Sequence, residues 1–145
     1  MTTAMGPLGL DTKITLLSGG LIFLLALVLG VWKYRQIMTS ADHRAHPYVD
    51  IAHRAALLYS FATLLLAAFV ELSAWPTWLN LTAAMVVVFF FVGAIAGYIS
   101  HGARYTVNQF ENPVRGTEVV MAMLIAGEIG GFGVIFAGCI VGQLL

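Results

Sequence analysis

The stretch His46-Pro47-Tyr48-Val49-Asp50-Ile51-Ala52-His53-Arg54-Ala55-Ala56-Leu57-Leu58-Tyr59-Ser60 carries polar, ligand-capable side chains into an apolar segment. Pro47 suits the first turn of a helix, because its missing N–H has no intrahelical partner there. A helix from Pro47 to Leu72 is long enough to cross a hydrocarbon core of about 30 Å. The stretch therefore reads as the mouth of a membrane-spanning helix.

The rest of the chain supplies three more such segments, at about 14–37, 79–100 and 116–141, beside this one at 47–72. The first ends in Trp32-Lys33-Tyr34-Arg35, with rings at headgroup level and cations beyond. Ser73-Ala74-Trp75-Pro76-Thr77-Trp78 is a short uncharged turn at the opposite membrane face. A chain of 145 residues, 60% hydrophobic and 10% charged, with mean hydropathy +0.91, lacks the charge that a soluble surface needs. The fold expected is all-α, an integral membrane four-helix bundle, with residues 1–145 forming one membrane domain.

Residues 1–13 lack the order of a cleavable signal, and the apolar run that follows is too long for one, so the first segment is expected to be retained. The single cysteine, Cys139, lies in the last apolar segment and reads as a small buried residue rather than a disulfide or metal partner. Seven basic and seven acidic residues balance, which gives no sign of a nucleic-acid partner. Glycines at 127, 130, 131, 133, 138 and 142, with Gly93 and Gly97, predict close helix packing in lipid and subunit contacts.

Lys33, Arg35, Arg44, Arg54, Arg104 and Arg115 lie at the two polar connections, and Lys13 alone lies at the other side. The positive-inside rule then makes loops 38–46 and 101–115 cytoplasmic and both termini external, in a multi-pass protein of a bacterial-type inner membrane. His43, His46, His53 and His101 all fall at that same face.

His53 penetrates furthest, and an intramembrane histidine is costly unless a partner uses it. Asp50, one turn earlier, is placed either to orient the His53 ring or to pair with Arg54. His53, Leu57, Ser60, Leu64 and Glu71 share one helical face, expected to look into the bundle. His101 is a candidate second ligand, whereas His43 and His46 read as solvated or lipid-facing. Glu71 and Glu118 read as solvated or capping. Glu128, near the middle of segment four, is expected to be protonated or paired, in either a functional or a structural role. Phe89-Phe90-Phe91 reads as core or lipid contact.

Ala52-His53 at the mouth of segment two and Asn108-Gln109-Phe110 in the last loop, followed by a Gly- and Ala-rich span with Phe132-Gly133-Val134 and Gly142-Gln143, resemble the four-span styrene oxide isomerases and the related hydroxylaminobenzene mutases. The resemblance covers roughly residues 49–143. It implies haem b with His53 as axial iron ligand, a homo-oligomer that is trimeric, and a ferric iron acting as Lewis acid on a small hydrophobic epoxide. On that reading the cofactor site is His53 with His101, and Tyr59, Tyr98 and Asn108 are the catalytic pocket candidates. Tyr59 stands where the family has an asparagine six residues after the histidine, and segment three has no acid to match the family's aspartate. The alternative is a haem-binding electron-transfer or assembly subunit of a larger membrane complex.

Overall fold

The computed structural model describes residues 7–111, 113 and 115–145; positions 1–6 of the N-terminal reading, and 112 and 114 of the second loop, lie outside the described residues. Four helices follow in order: α1 (Leu10–Thr39), α2 (Pro47–Glu71), α3 (Thr77–Ala103) and α4 (Thr117–Leu144). Each is long and apolar enough to cross a membrane. The chain is an all-α four-helix bundle of a multi-pass membrane protein, its many exposed Leu, Val and Phe side chains suited to lipid.

Helices α1 and α3 run past the expected spans at both ends, α1 starting at Leu10 rather than near 14 and the last turn of α3 taking in His101, whereas α2 matches within a residue and α4 extends only at its C-terminal end. Pro47 is the first residue of α2, as its chemistry predicts, and His46 caps the helix by accepting the Tyr48 N–H at Nδ1 (3.3 Å). His46 also donates its own N–H to Gln36 Oε1 at 2.9 Å, tying α2 back to α1. This histidine is a structural cap rather than a solvated side chain.

Lipid offers no hydrophobic drive for one helix to meet another, so packing rests on small residues and polar ties. Between α1 and α2, Gly19 sits against Thr63 and the Ser60 carbonyl, and Ala26, Ala52 and Ala56 are fully buried. Ile95 of α3 and Ile135 of α4 complete the centre.

Helix α4 is the least embedded, with Gly131, Ile135 and Gly138 its only buried residues among those described. Gly127 lies under the Phe90 ring, Gly131 against Val87 and the Ala83 carbonyl, and Gly138 against Ser73 and Trp75. Gly93 and Gly97, by contrast, have open space where a side chain would be. Their small-xxx-small spacing does no packing within this chain.

The end of the bundle that carries the termini is locked by polar contacts. Ala74 N–H donates to the Gly138 carbonyl (3.0 Å), Trp75 Nε1–H to the Val134 carbonyl (2.7 Å), and Gln143 Nε2 to the Leu72 carbonyl (2.9 Å). Asp11, 6% exposed, takes the Thr12 N–H at Oδ1 and Asn80 Nδ2–H at Oδ2 (3.2 Å). Thr12 Oγ1 donates to Glu71 Oε2 at 2.6 Å, so Glu71, exposed as expected, also ties α2 to α1.

Candidate functional site

His53 is turned toward α1. Its Nδ1 lies 2.9 Å from the Ala26 carbonyl oxygen, and because a carbonyl only accepts, Nδ1 carries the hydrogen. Gly30, four residues beyond Ala26, makes the approach possible: a Cβ there would stand 3.0 Å from His53 Cε1. Nε2 has no hydrogen-bond partner among the described residues, and in the neutral ring it bears the lone pair. Such second-nitrogen anchoring to a carbonyl fixes tautomer and ring plane in metal-ligating histidines.

Asp50 does not orient the ring by a hydrogen bond. Its carboxylate bridges Lys33 Nζ of α1 (2.6 Å) and Arg54 (2.9 Å), closing an ion triad one turn nearer the helix mouth than His53. The face expected to look into the bundle does so only in part: His53, Ser60 and Glu71 meet α1, but of the five only Ser60 is buried. Leu57 is half-buried, and Leu64 is 53% exposed at the rim of a groove with Phe23 and Phe61. The buried face runs instead through Ala52, Ala56, Ser60, Thr63, Ala67 and Val70.

His101 has a different set of neighbours. Its Nδ1 is 3.3 Å from Thr106 Oγ1, and its ring lies 5.3 Å from the Tyr48 ring. Tyr48 precedes His53 by five residues, about 140° around α2, so the two imidazoles sit on different sides of that helix. Tyr48 is the centre of an aromatic group at the loop end of the bundle, with Tyr98 at 6.4 Å and His46 at 6.0 Å. Its hydroxyl accepts the Gln109 N–H at 2.9 Å and so holds the second loop down.

Tyr59 stacks flat on Phe91 of α3, centroids 4.3 Å apart at 10°. It shares an electrostatic neighbourhood with Tyr98 and with Glu128 of α4. Asn108 is exposed and accepts the Phe110 N–H at its own Oδ1 (2.9 Å), an Asx turn that shapes the loop. The structure thus sets Tyr59 against Phe91 of α3 and Tyr98 against Tyr48, and leaves His53 on the α1 side of α2 and Asn108 in the loop.

Two residues of this arrangement were not among the predicted site residues. Glu128 was singled out only as a mid-span acid, and its placement beside Tyr59 depends on how α4 docks. Tyr48 gave no signal beyond sitting next to Pro47.

Among the described residues no group of three or more His, Cys, Asp or Glu side chains converges to hold a metal ion. A porphyrin supplies four of an iron's ligands and asks the protein for one imidazole, so His53 alone fits a haem better than it fits a bare cation. No protein-family model, curated protein or solved structure matches the chain. The class defined by fold and site is a four-span membrane protein with one anchored intramembrane histidine.

Proposed function

We propose that the chain is a membrane-embedded isomerase of the styrene oxide isomerase type, holding haem b through His53 and rearranging a small hydrophobic epoxide or related compound. The observation that carries this reading is the His53 ring, pinned at Nδ1 by the Ala26 carbonyl with Nε2 free. His53 would hold the haem, which when bound would supply a Lewis acid for C–O cleavage without redox turnover. The chain's part is to fix the ring through Ala26 and Gly30 and to keep water from the reacting carbon with its apolar helices. The separate partners of His101 favour a single protein ligand over two on one iron.

The same reading places the protein in a bacterial-type inner membrane with both termini outside and the arginine-bearing loops in the cytoplasm, supported by six cations against one. The subunits assemble as a homo-oligomer, a trimer if the resemblance extends that far.

An absorption spectrum of the purified wild-type protein beside His53→Ala tests the assignment. A Soret band in the wild type that is lost or shifted in the variant is expected; a wild type without haem absorption, or a variant with an unchanged band, sinks it. Epoxide turnover by the haem-loaded protein then tests the reaction.

A second reading, a haem-binding electron-transfer or assembly subunit, is favoured by one observation: Tyr59 stacks on Phe91 of α3 and Tyr98 packs on Tyr48, whereas His53 is turned to the Ala26 carbonyl of α1. A haem spectrum indifferent to added imidazole or cyanide, with no epoxide turnover, selects it.

A further inference from the structure

Glu128 lies halfway along α4 and has no part in the His53 site. Ile135, seven residues and about two turns on, is fully buried, which puts Glu128 on the inward side of α4. Next to it Gly127 takes the Phe90 ring, and one turn on Gly131 lies against Val87. Glu128 Oε1 is shielded from solvent and has no hydrogen-bond partner among the described residues. No ion pair reaches it among the described residues, and its charge is felt by Tyr59 of α2, which Tyr98 of α3 also influences.

Glu128 Oε1 lacks a hydrogen-bond donor on a half-buried side chain, and intramembrane acids of this kind mark ligand or proton sites. Residues 117–130 of α4 include none that is buried, so this half-helix is the part of the bundle most open to lipid.

The geometry points to a binding site at the junction of α2, α3 and α4, in which Glu128 pairs with a lipophilic amine whose nitrogen rests against the rings of Tyr59 and Tyr98. An amine supplies both a donor and a counter-charge. Its N–H satisfies Oε1, and as an ammonium it gives the carboxylate a counter-charge where water gives none. The proton balance closes within the pair: the carboxyl O–H breaks as the amine N–H forms, and the pair carries no net charge. Ring faces then stabilise the cation, a contact worth more when desolvated. An alcohol would offer a hydrogen bond only and leave the rings without a role. The site lies across α2 from His53 and does not depend on haem.

The test uses the full chain in detergent micelles and N,N′-dicyclohexylcarbodiimide, an apolar reagent. A carboxylic O–H adds across one of its C=N bonds, and the adduct rearranges to a stable N-acylurea located by peptide mass spectrometry. Labelling at Glu128 is expected, absent in Glu128→Gln. It should slow several-fold with N,N-dimethylbenzylamine and stay unchanged with benzyl alcohol at the same concentration. Tyr59→Phe should keep this protection and Tyr59→Leu weaken it. His53→Ala should alter none of these results, which separates this site from the haem reading. The proposal is overturned by a wild type unlabelled at Glu128, by equal protection from amine and alcohol, or by labelling that ignores the amine and rises as an oligomer dissociates. The last outcome would assign the carboxyl to a subunit contact.

Discussion

The His53 imidazole and the Ala26 carbonyl meet at 2.9 Å across the α1/α2 seam, in a space that exists because residue 30 is glycine. Ala26 and Gly30 are a turn apart on α1, so one supplies the acceptor and the other the clearance.

Gly30→Val puts side-chain carbon within about 3 Å of the ring. Overpacking of this kind costs about 1–3 kcal/mol. The variant should unfold earlier in a mixed-micelle denaturant titration and, on the haem reading, lose or shift its Soret band. Gly20→Val, where open space awaits the side chain, should do neither.

At the other end of the bundle, Asn80 (2% exposed) is the cross-helix donor to the buried Asp11 carboxylate. Asn80→Leu leaves that carboxylate with the Thr12 N–H and the positive end of α1, and should cost about 1–3 kcal/mol. Asn80→Asp should cost more, because it sets two carboxylates about 3 Å apart. The same denaturant titration orders the three proteins.

The architecture was legible because the signals for spanning helices are compositional: long apolar runs, Pro47 at a helix start, and aromatic and basic residues at the ends. The inward face of α2 lies about one residue away from the expected one: the face of His53, Ser60 and Leu64 touches α1 only at its edge, and Ala52, Ala56, Thr63 and Ala67 fill the seam, because small residues rather than polar ones mark the close contact. What sequence could not decide was which of two neighbours a polar group would choose. Asp50 had His53 and Arg54 within one turn, and Lys33, seventeen positions away, took its other oxygen. Nothing local distinguished Asp11 and Asn80 either, since their meeting depends on α1 and α3 crossing at one level. Tyr59 and His53, six residues apart, are about 120° apart on the helix, and that divergence separates two candidate sites that a linear motif had joined.

The ion triad separates a cross-helix pair from an intrahelical one. Lys33 and Asp50 are each about two-thirds buried, whereas Arg54 is 64% exposed and four residues along the same helix. After discounting for screening, Arg54→Met should cost about 0.3–0.5 kcal/mol and Lys33→Met about 1 kcal/mol. Added salt should narrow the gap between wild type and Lys33→Met.

Tyr48→Phe removes one acceptor and little else, as the ring can keep its contacts with Tyr98 and His101. The lost bond to the Gln109 N–H should cost about 0.5–1.5 kcal/mol, expressed as local opening of the second loop. Amide hydrogen exchange at Gln109 should speed up while exchange in the middle of α2 stays as it was. Equal acceleration in both would mean that the hydroxyl supports the bundle rather than the loop.

Adjacent glycines in α4 give the sharpest contrast between seam and lipid face. A Cβ at Gly131 would meet Val87 Cγ2 at 2.7 Å and the Ala83 carbonyl oxygen at 2.9 Å, whereas one at Gly130 meets nothing within 4 Å. The Ala83 oxygen is backbone and cannot rotate away, so Gly131→Leu must lift α4 from α3, in a helix whose buried residues number three among those described. Gly131→Leu should therefore weaken the bundle by more than about 2 kcal/mol and loosen the Trp75 tie to Val134 one turn further on. Gly130→Leu should leave monomer stability unchanged or slightly raised, since leucine is the better helix former by about 1 kcal/mol. If Gly130→Leu instead disrupts an oligomer while leaving the monomer folded, that face is buried between subunits, and size-exclusion chromatography beside the denaturant titration distinguishes the two outcomes.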